Sequence, residues 1–80
     1  MEIEQLCKMA NQIASYYASE PNREEALTSI ATHLRRFWDP RMRRQLLAFI
    51  DESGGHELSP IALEAIISHR ALLEPPTTKV

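Results

Sequence analysis

Glycine and cysteine are both scarce in this sequence. The only glycines are the adjacent Gly54 and Gly55, the only cysteine is Cys7, and there is no long run of β-branched residues. With so few strand and turn signals, the hydrophobic periodicity is helical throughout. A single cysteine excludes an internal disulfide, so we expect a cytoplasmic protein in which Cys7 is a small core residue.

Long hydrophobic runs are absent as well. The longest uncharged apolar stretch is far shorter than the roughly 20 residues that cross a bilayer. The N-terminal stretch MEIEQLCKMANQIA has two acids before its first base and no apolar core of the kind that a secretory signal needs. We therefore expect no contact with a membrane.

The groups that carry most catalytic and metal chemistry are too scattered to form a site. The histidines His33, His56 and His69 show no metal-ligand spacing with Cys7 or with one another. There is no glycine-rich phosphate loop. We therefore expect a chain that is not an enzyme and that binds no metal or cofactor stably.

Apolar residues recur at intervals of three and four along four segments, which predicts four helices. Their expected ranges are about 2–18, 22–38, 40–51 and 60–73. At 80 residues, the chain is long enough for one domain with a thin core. The predicted fold is all-α: a small bundle of four short helices within a single domain at 1–74, followed by a flexible, mobile C-terminal tail at 75–80.

Local signals indicate where these helices begin and which side of each is buried. Asn22, Asp39 and Ser59 are predicted N-caps, the last two followed by a proline at the first helical position. Gly54 and its neighbours are predicted to end the third helix. The predicted core positions of the first two helices are Ile3, Leu6, Ala10, Ile13 and Tyr17, widened by Met9 and Tyr16, and then Ala26, Leu27, Ile30, Ala31, Leu34 and Trp38.

Positive charge is concentrated in one short stretch of an acidic chain. Residues 35–44 contain five arginines and one aspartate, whereas the rest of the chain contains four bases and ten acids, and the net charge is −2. Arg35 and Arg36 suit the C-terminal end of a helix. Arg41, Arg43 and Arg44 lie near the positive end of the next helix, which should cost roughly 0.3–1 kcal/mol per charge at low salt.

Several arrangements would relieve these three arginines. Acids of the chain itself, such as Glu24 or Glu25, could form internal ion pairs with them. A carboxylate-rich surface on a partner could bind them through bidentate contacts. A phosphate-bearing ligand could bind at the helix N-terminus, and plain solvation of the basic face is a further alternative.

The aromatic pair inside this stretch adds a second kind of contact. Adjacent helical residues point about 100° apart, so Phe37 and Trp38 do not both face the core. Trp38 continues the apolar pattern of the second helix. Phe37 is then expected near the surface among arginines, which is a composition typical of binding hot spots, or else packed on a neighbouring helix.

Three stretches of the chain resemble a known family. IATHLRRFWDPRMRRQLLAFI, followed by LSPIALEAI and preceded by KMANQIASYY, is similar to the delta subunit of NAD-dependent, molybdenum-containing formate dehydrogenase. The resemblance covers roughly residues 9–67, and HLRRFWDPRMR is its most specific part.

This resemblance implies a small cytoplasmic accessory of a bacterial multi-subunit enzyme. Such a subunit carries no redox centre and is associated with assembly, molybdenum cofactor insertion or stabilisation of the complex. Formate oxidation would belong to the large subunit, with its molybdopterin guanine dinucleotide and iron–sulfur clusters. The resemblance assigns no mechanism to individual residues.

The sequence therefore leads to one functional hypothesis and its alternatives. We expect docking on the large subunit of formate dehydrogenase through Arg35, Arg36, Phe37, Trp38, Asp39, Arg41, Met42, Arg43 and Arg44. The alternative is a maturation chaperone whose arginines contact the molybdopterin guanine dinucleotide during insertion. Nucleic-acid binding is disfavoured by the acidic balance, and the uneven charge allows a homodimer of the isolated chain.

Overall fold

A computed structural model describes residues 2–75, and these residues form five α-helices and no strand. The helices are α1 (Ile3–Tyr17), α2 (Arg23–Phe37), α3 (Pro40–Ser53), α4 (Pro60–Ser68) and α5 (Arg70–Leu73). The all-α prediction is confirmed for this part of the chain, with helix boundaries close to those expected. The predicted tail, apart from Pro75, lies outside the described residues.

The predicted caps begin three of the helices. The Asn22 side chain accepts a hydrogen bond from the Glu25 backbone N–H at 3.0 Å, and Asp39 accepts one from Met42 at the same distance. The Ser59 hydroxyl accepts a longer bond, 3.4 Å, from the N–H of Ala62. Each cap satisfies one of the backbone donors that a helix start leaves unpaired.

The predicted fourth helix is divided at His69, whose φ of −121° and ψ of 33° are not helical. α5 then packs against α2. Two contacts place it: Leu73 is buried, and the Arg70 guanidinium binds both carboxylate oxygens of Asp51 in α3, at 2.9 and 2.8 Å. The hydrogen bonds from Arg70 hold the pKa of Asp51 below its usual value.

The core lies where α1, α2 and α4 meet, with α3 packed against α1. All six core positions predicted for the second helix are buried, although the last of them, Trp38, lies just beyond the end of α2. In α1 the buried residues are Leu6, Cys7, Ala10 and Ala14, so the core role of Cys7 is confirmed, and burial raises the pKa of its thiol. The prediction that Tyr16 widens this face is wrong, because Tyr16 lies about 200° around the helix from Ala14 and is 77% exposed.

None of the helices within residues 2–75 combines the length and the hydropathy that crossing a membrane would require.

The two glycines provide a matched pair for testing the turn after α3. Both have positive φ, 84° at Gly54 and 73° at Gly55, but only Gly55 is buried. A Cβ at Gly54 would meet open space, whereas one at Gly55 would lie 2.8 Å from Leu63 Cδ1 and 3.2 Å from Ile50 Cγ1. Gly54→Ala is therefore expected to cost about 1–2 kcal/mol for its left-handed backbone.

Gly55→Ala carries the same backbone penalty and adds overpacking of about 1 kcal/mol or more. Urea denaturation of the two variants measures the difference in unfolding free energy. Equal costs would show that Leu63 and Ile50 move aside freely.

Candidate functional site: the arginine segment

Residues 35–44, hereafter the arginine segment, connect two helices through a very short link. α2 ends at Phe37, the Trp38 backbone is extended, and Asp39 caps α3, which starts at Pro40. Trp38 is only 5% exposed, so its side chain fixes this link to the core. The arginines on either side are therefore held in a defined arrangement.

Two of the arginines are engaged within the fold. Arg35 donates from Nη1 to the Leu72 carbonyl oxygen at 2.9 Å. Arg43 is 7% exposed, and its Nη1 lies 3.4 Å from the Leu73 carbonyl oxygen. Carbonyl groups in the last turn of a helix have no helical partner, so these arginines supply donors that α5 lacks. The Nε of Arg43 is buried without a hydrogen-bond partner among the described residues.

The remaining arginines, Arg36, Arg41 and Arg44, are exposed. Within residues 2–75 they form neither an ion pair nor a hydrogen bond. The acids that are paired with arginine there bind Arg23 or Arg70 instead. Internal pairing of the segment with acids, one of the sequence-based alternatives, is therefore wrong for this part of the chain.

The other predicted contact residues differ widely in exposure. Phe37 is 70% exposed, which confirms its expected position near the surface, and Asp39 is exposed while its side chain caps α3. Met42 is half-buried and packs against the core. The structure thus groups Arg36, Phe37, Arg41 and Arg44 on the outside of the segment. It keeps Trp38 and Arg43 inside the fold.

A row of aromatic rings continues from Phe37 across two helices. The ring of Phe37 lies 4.7 Å from that of His33, the next step to Tyr17 is 6.3 Å, and Tyr17 meets Tyr16 edge-on at 5.0 Å. Sequence reasoning missed this row. The contact between His33 and Phe37 could have been predicted, because residues four apart on a helix are neighbours. The contact between His33 and Tyr17 could not, because it forms only when α1 packs against α2.

Variants of the adjacent Arg35 and Arg36 distinguish an arginine that stabilises the fold from one that only lies on the surface. Arg35→Ala removes a charged donor from the Leu72 carbonyl, and we expect a loss of about 0.5–1.5 kcal/mol in unfolding free energy. Arg36→Ala removes no bond and should stay within about 0.5 kcal/mol of the parent. Urea denaturation measures both, and amide hydrogen exchange should show faster exchange in α5 for Arg35→Ala alone. Equal stabilities would show that the Arg35 contact contributes nothing.

Among residues 2–75 no three histidine, cysteine or acidic side chains are grouped so that they could hold a metal ion. In this part of the chain, the fold and the site define a small all-helical protein whose distinguishing surface is cationic and aromatic.

Residues 5–66 match the family model of the NADH-dependent formate dehydrogenase delta subunit, FdsD. The chain belongs to this family. Searches of curated proteins and of solved structures gave no match.

The family match confirms the resemblance seen in the sequence. It spans all of α2 and α3 and most of α1 and α4. It includes the whole arginine segment. The chain is thus a delta-subunit family protein of formate dehydrogenase, a complex whose other subunits are its expected partners.

Proposed function

We propose that this chain is a non-catalytic accessory subunit that docks on the large, molybdenum-containing subunit of formate dehydrogenase. Its role is to support assembly and stability of the active complex. The observation that carries the proposal is the outer side of the arginine segment, where Arg36, Arg41 and Arg44 have no internal partner within residues 2–75 and lie in the same segment as the exposed Phe37. Formate oxidation and the molybdopterin cofactor remain with the large subunit.

The chemistry of this surface indicates what the partner must offer. Arg41 and Arg44 are three residues apart on α3 and therefore share a face. Both are near the positive end of that helix, so carboxylates on a partner would relieve an unfavourable charge arrangement. Bidentate contacts from guanidinium to carboxylate add geometric specificity. We infer an acidic partner surface with an apolar recess for Phe37.

The fold also keeps this surface in place before docking. Trp38 is buried in the link, and Arg35 and Arg43 are bonded to the carbonyl groups of α5. Fixing the backbone in advance lowers the entropy lost on binding. Arg35 and Arg43, which bond to α5, therefore position the segment, while Arg36, Arg41 and Arg44 make the contacts.

Hydrogen exchange of this chain, alone and with the purified large subunit, tests the proposal. Backbone amides of the arginine segment, together with the first two turns of α3, should exchange more slowly in the complex. The matched comparison is the exposed side of α1 around Lys8, where exchange should be unchanged. Protection around Lys8 without protection of the segment would place the docking surface elsewhere.

A second candidate function is that of a maturation chaperone for the molybdopterin guanine dinucleotide. The N-terminal end of α3, with Arg41 and Arg44 beside it, is a favourable place for phosphate groups. Arg36, Arg41 and Arg44 would hold the pyrophosphate portion of the cofactor. Calorimetry of the isolated chain with inorganic pyrophosphate at low salt should then show salt-sensitive binding, and no heat under those conditions would count against this candidate.

A further inference from the structure

The outer face of α2 carries opposite charges at its two ends. Glu25 lies in its first turn and Arg36 in its last. They are eleven positions apart, which corresponds to about 16.5 Å along the axis and to directions about 20° apart around it. They therefore lie on one face of the helix but too far apart to pair with each other. Neither has an ion pair within residues 2–75.

The side chains on the face between these two charges are small and uncharged. Ser29 and Thr32 lie there, both half-buried, while the core side of the helix points the opposite way. A groove of about 220 Å³ runs beside them, with Tyr17 as one wall. Small side chains allow the backbones of two helices to approach closely.

The two ends of α2 also differ in shape. Phe37, which projects at the C-terminal end, is 70% exposed. Just before the N-terminal end, a groove of about 450 Å³ is lined by Tyr16, Tyr17, Ser19, Glu20 and Pro21. An aromatic projection and an aromatic groove thus lie at opposite ends of the same helix.

We propose that two copies of this chain associate through antiparallel pairing of their α2 helices. A two-fold axis level with Ile30 and Ala31 brings Glu25 of each copy opposite Arg36 of the other, so the ion pair forms twice. Phe37 of each copy then approaches the Tyr16–Pro21 groove of the second. Both copies use the same self-complementary surface, so the assembly ends at the dimer and does not extend into a longer oligomer.

This pairing covers Arg36 and Phe37, which the docking surface also uses. The dimer is therefore a state of the free chain, and docking on the large subunit would displace the second copy. The pairing does not depend on docking, because it rests on the charges of α2 and on grooves that α1 and the link between α1 and α2 help to form.

Sedimentation equilibrium of charge variants tests the pairing and its register. The wild-type chain should show a reversible monomer–dimer equilibrium. Glu25→Arg and Arg36→Glu each place like charges opposite one another twice, so either variant alone should dimerise at least about tenfold more weakly. An equimolar mixture of the two variants should recover dimers, because each unlike pair is restored. The double variant should recover them for the same reason.

Arg41→Glu is the control, since its position on α3 lies outside the α2 face; it should keep the wild-type dimerisation constant. A wild-type chain that stays monomeric at every concentration would overturn the pairing. So would single variants that dimerise normally, or a mixture that fails to recover dimers. Loss of docking by Arg41→Glu with dimerisation intact would separate this inference from the proposed function.

Discussion

Reversing Arg41 and Arg44 together to glutamate is expected to abolish recovery of the large subunit while the isolated chain stays folded. In the proposed complex, two exposed guanidinium groups that would face partner carboxylates become two like charges, and we expect affinity to fall by at least about 100-fold. The folded state of the isolated chain, by contrast, should become slightly more stable. Glutamate at position 41, in the first turn of α3, interacts favourably with the helix dipole, so the melting temperature should rise by a few degrees.

The matched control is Lys8→Glu, which makes the same change of charge per site on an exposed position of α1. It should leave recovery of the complex unchanged. Affinity is measured by titration of the labelled chain against the large subunit, and stability by circular dichroism during heating. An equal loss of binding from Lys8→Glu would mean that overall charge, rather than the arginine segment, governs docking.

Arg43→Glu is expected to have the largest effect on folding. The side chain is 7% exposed and faces the Leu73 carbonyl oxygen, so a carboxylate there would be buried without a partner. Such a charge costs about 3–5 kcal/mol. A chain of 80 residues has roughly 4–12 kcal/mol of stability in total. We therefore expect the variant to be largely unfolded or to melt far below the parent.

Arg43→Met is the control for this position, because it keeps the apolar stem of the side chain and introduces no charge. Its cost should stay below about 2 kcal/mol, and it should still bind the large subunit. Urea denaturation followed by tryptophan fluorescence measures both variants, since Trp38 is buried in the same segment. Normal stability of Arg43→Glu with loss of docking would show that Arg43 contacts the partner directly.

The features that could be predicted from the sequence are those set by neighbouring residues. The cap at Asp39 needs only a backbone N–H three residues away, and the left-handed turn at Gly54 needs only a residue without a Cβ. The buried stripe of α2 follows from its period of 3.6. These elements were predicted correctly, and together they define the fold class.

Features that depend on contacts between distant residues could not be predicted in the same way. The apolar pattern of α4 continues through His69, so nothing local marks the break that lets Arg70 reach Asp51. The helical period places Arg43 on the buried face of α3, with Leu46, Leu47 and Ile50. Nothing local, however, indicates its contact with the Leu73 carbonyl oxygen in α5. The contact of His33 with Tyr17 likewise exists only once α1 and α2 have packed.

The most direct test of the proposed function is co-expression of this chain, carrying an affinity tag, with the other formate dehydrogenase subunits, followed by purification on the tag. The docking proposal predicts stoichiometric recovery of the large subunit in active, molybdenum-loaded form. Recovery of only inactive, cofactor-free large subunit would instead favour the maturation chaperone. A tagged chain that brings down no large subunit, while active enzyme assembles equally well without it, would contradict both.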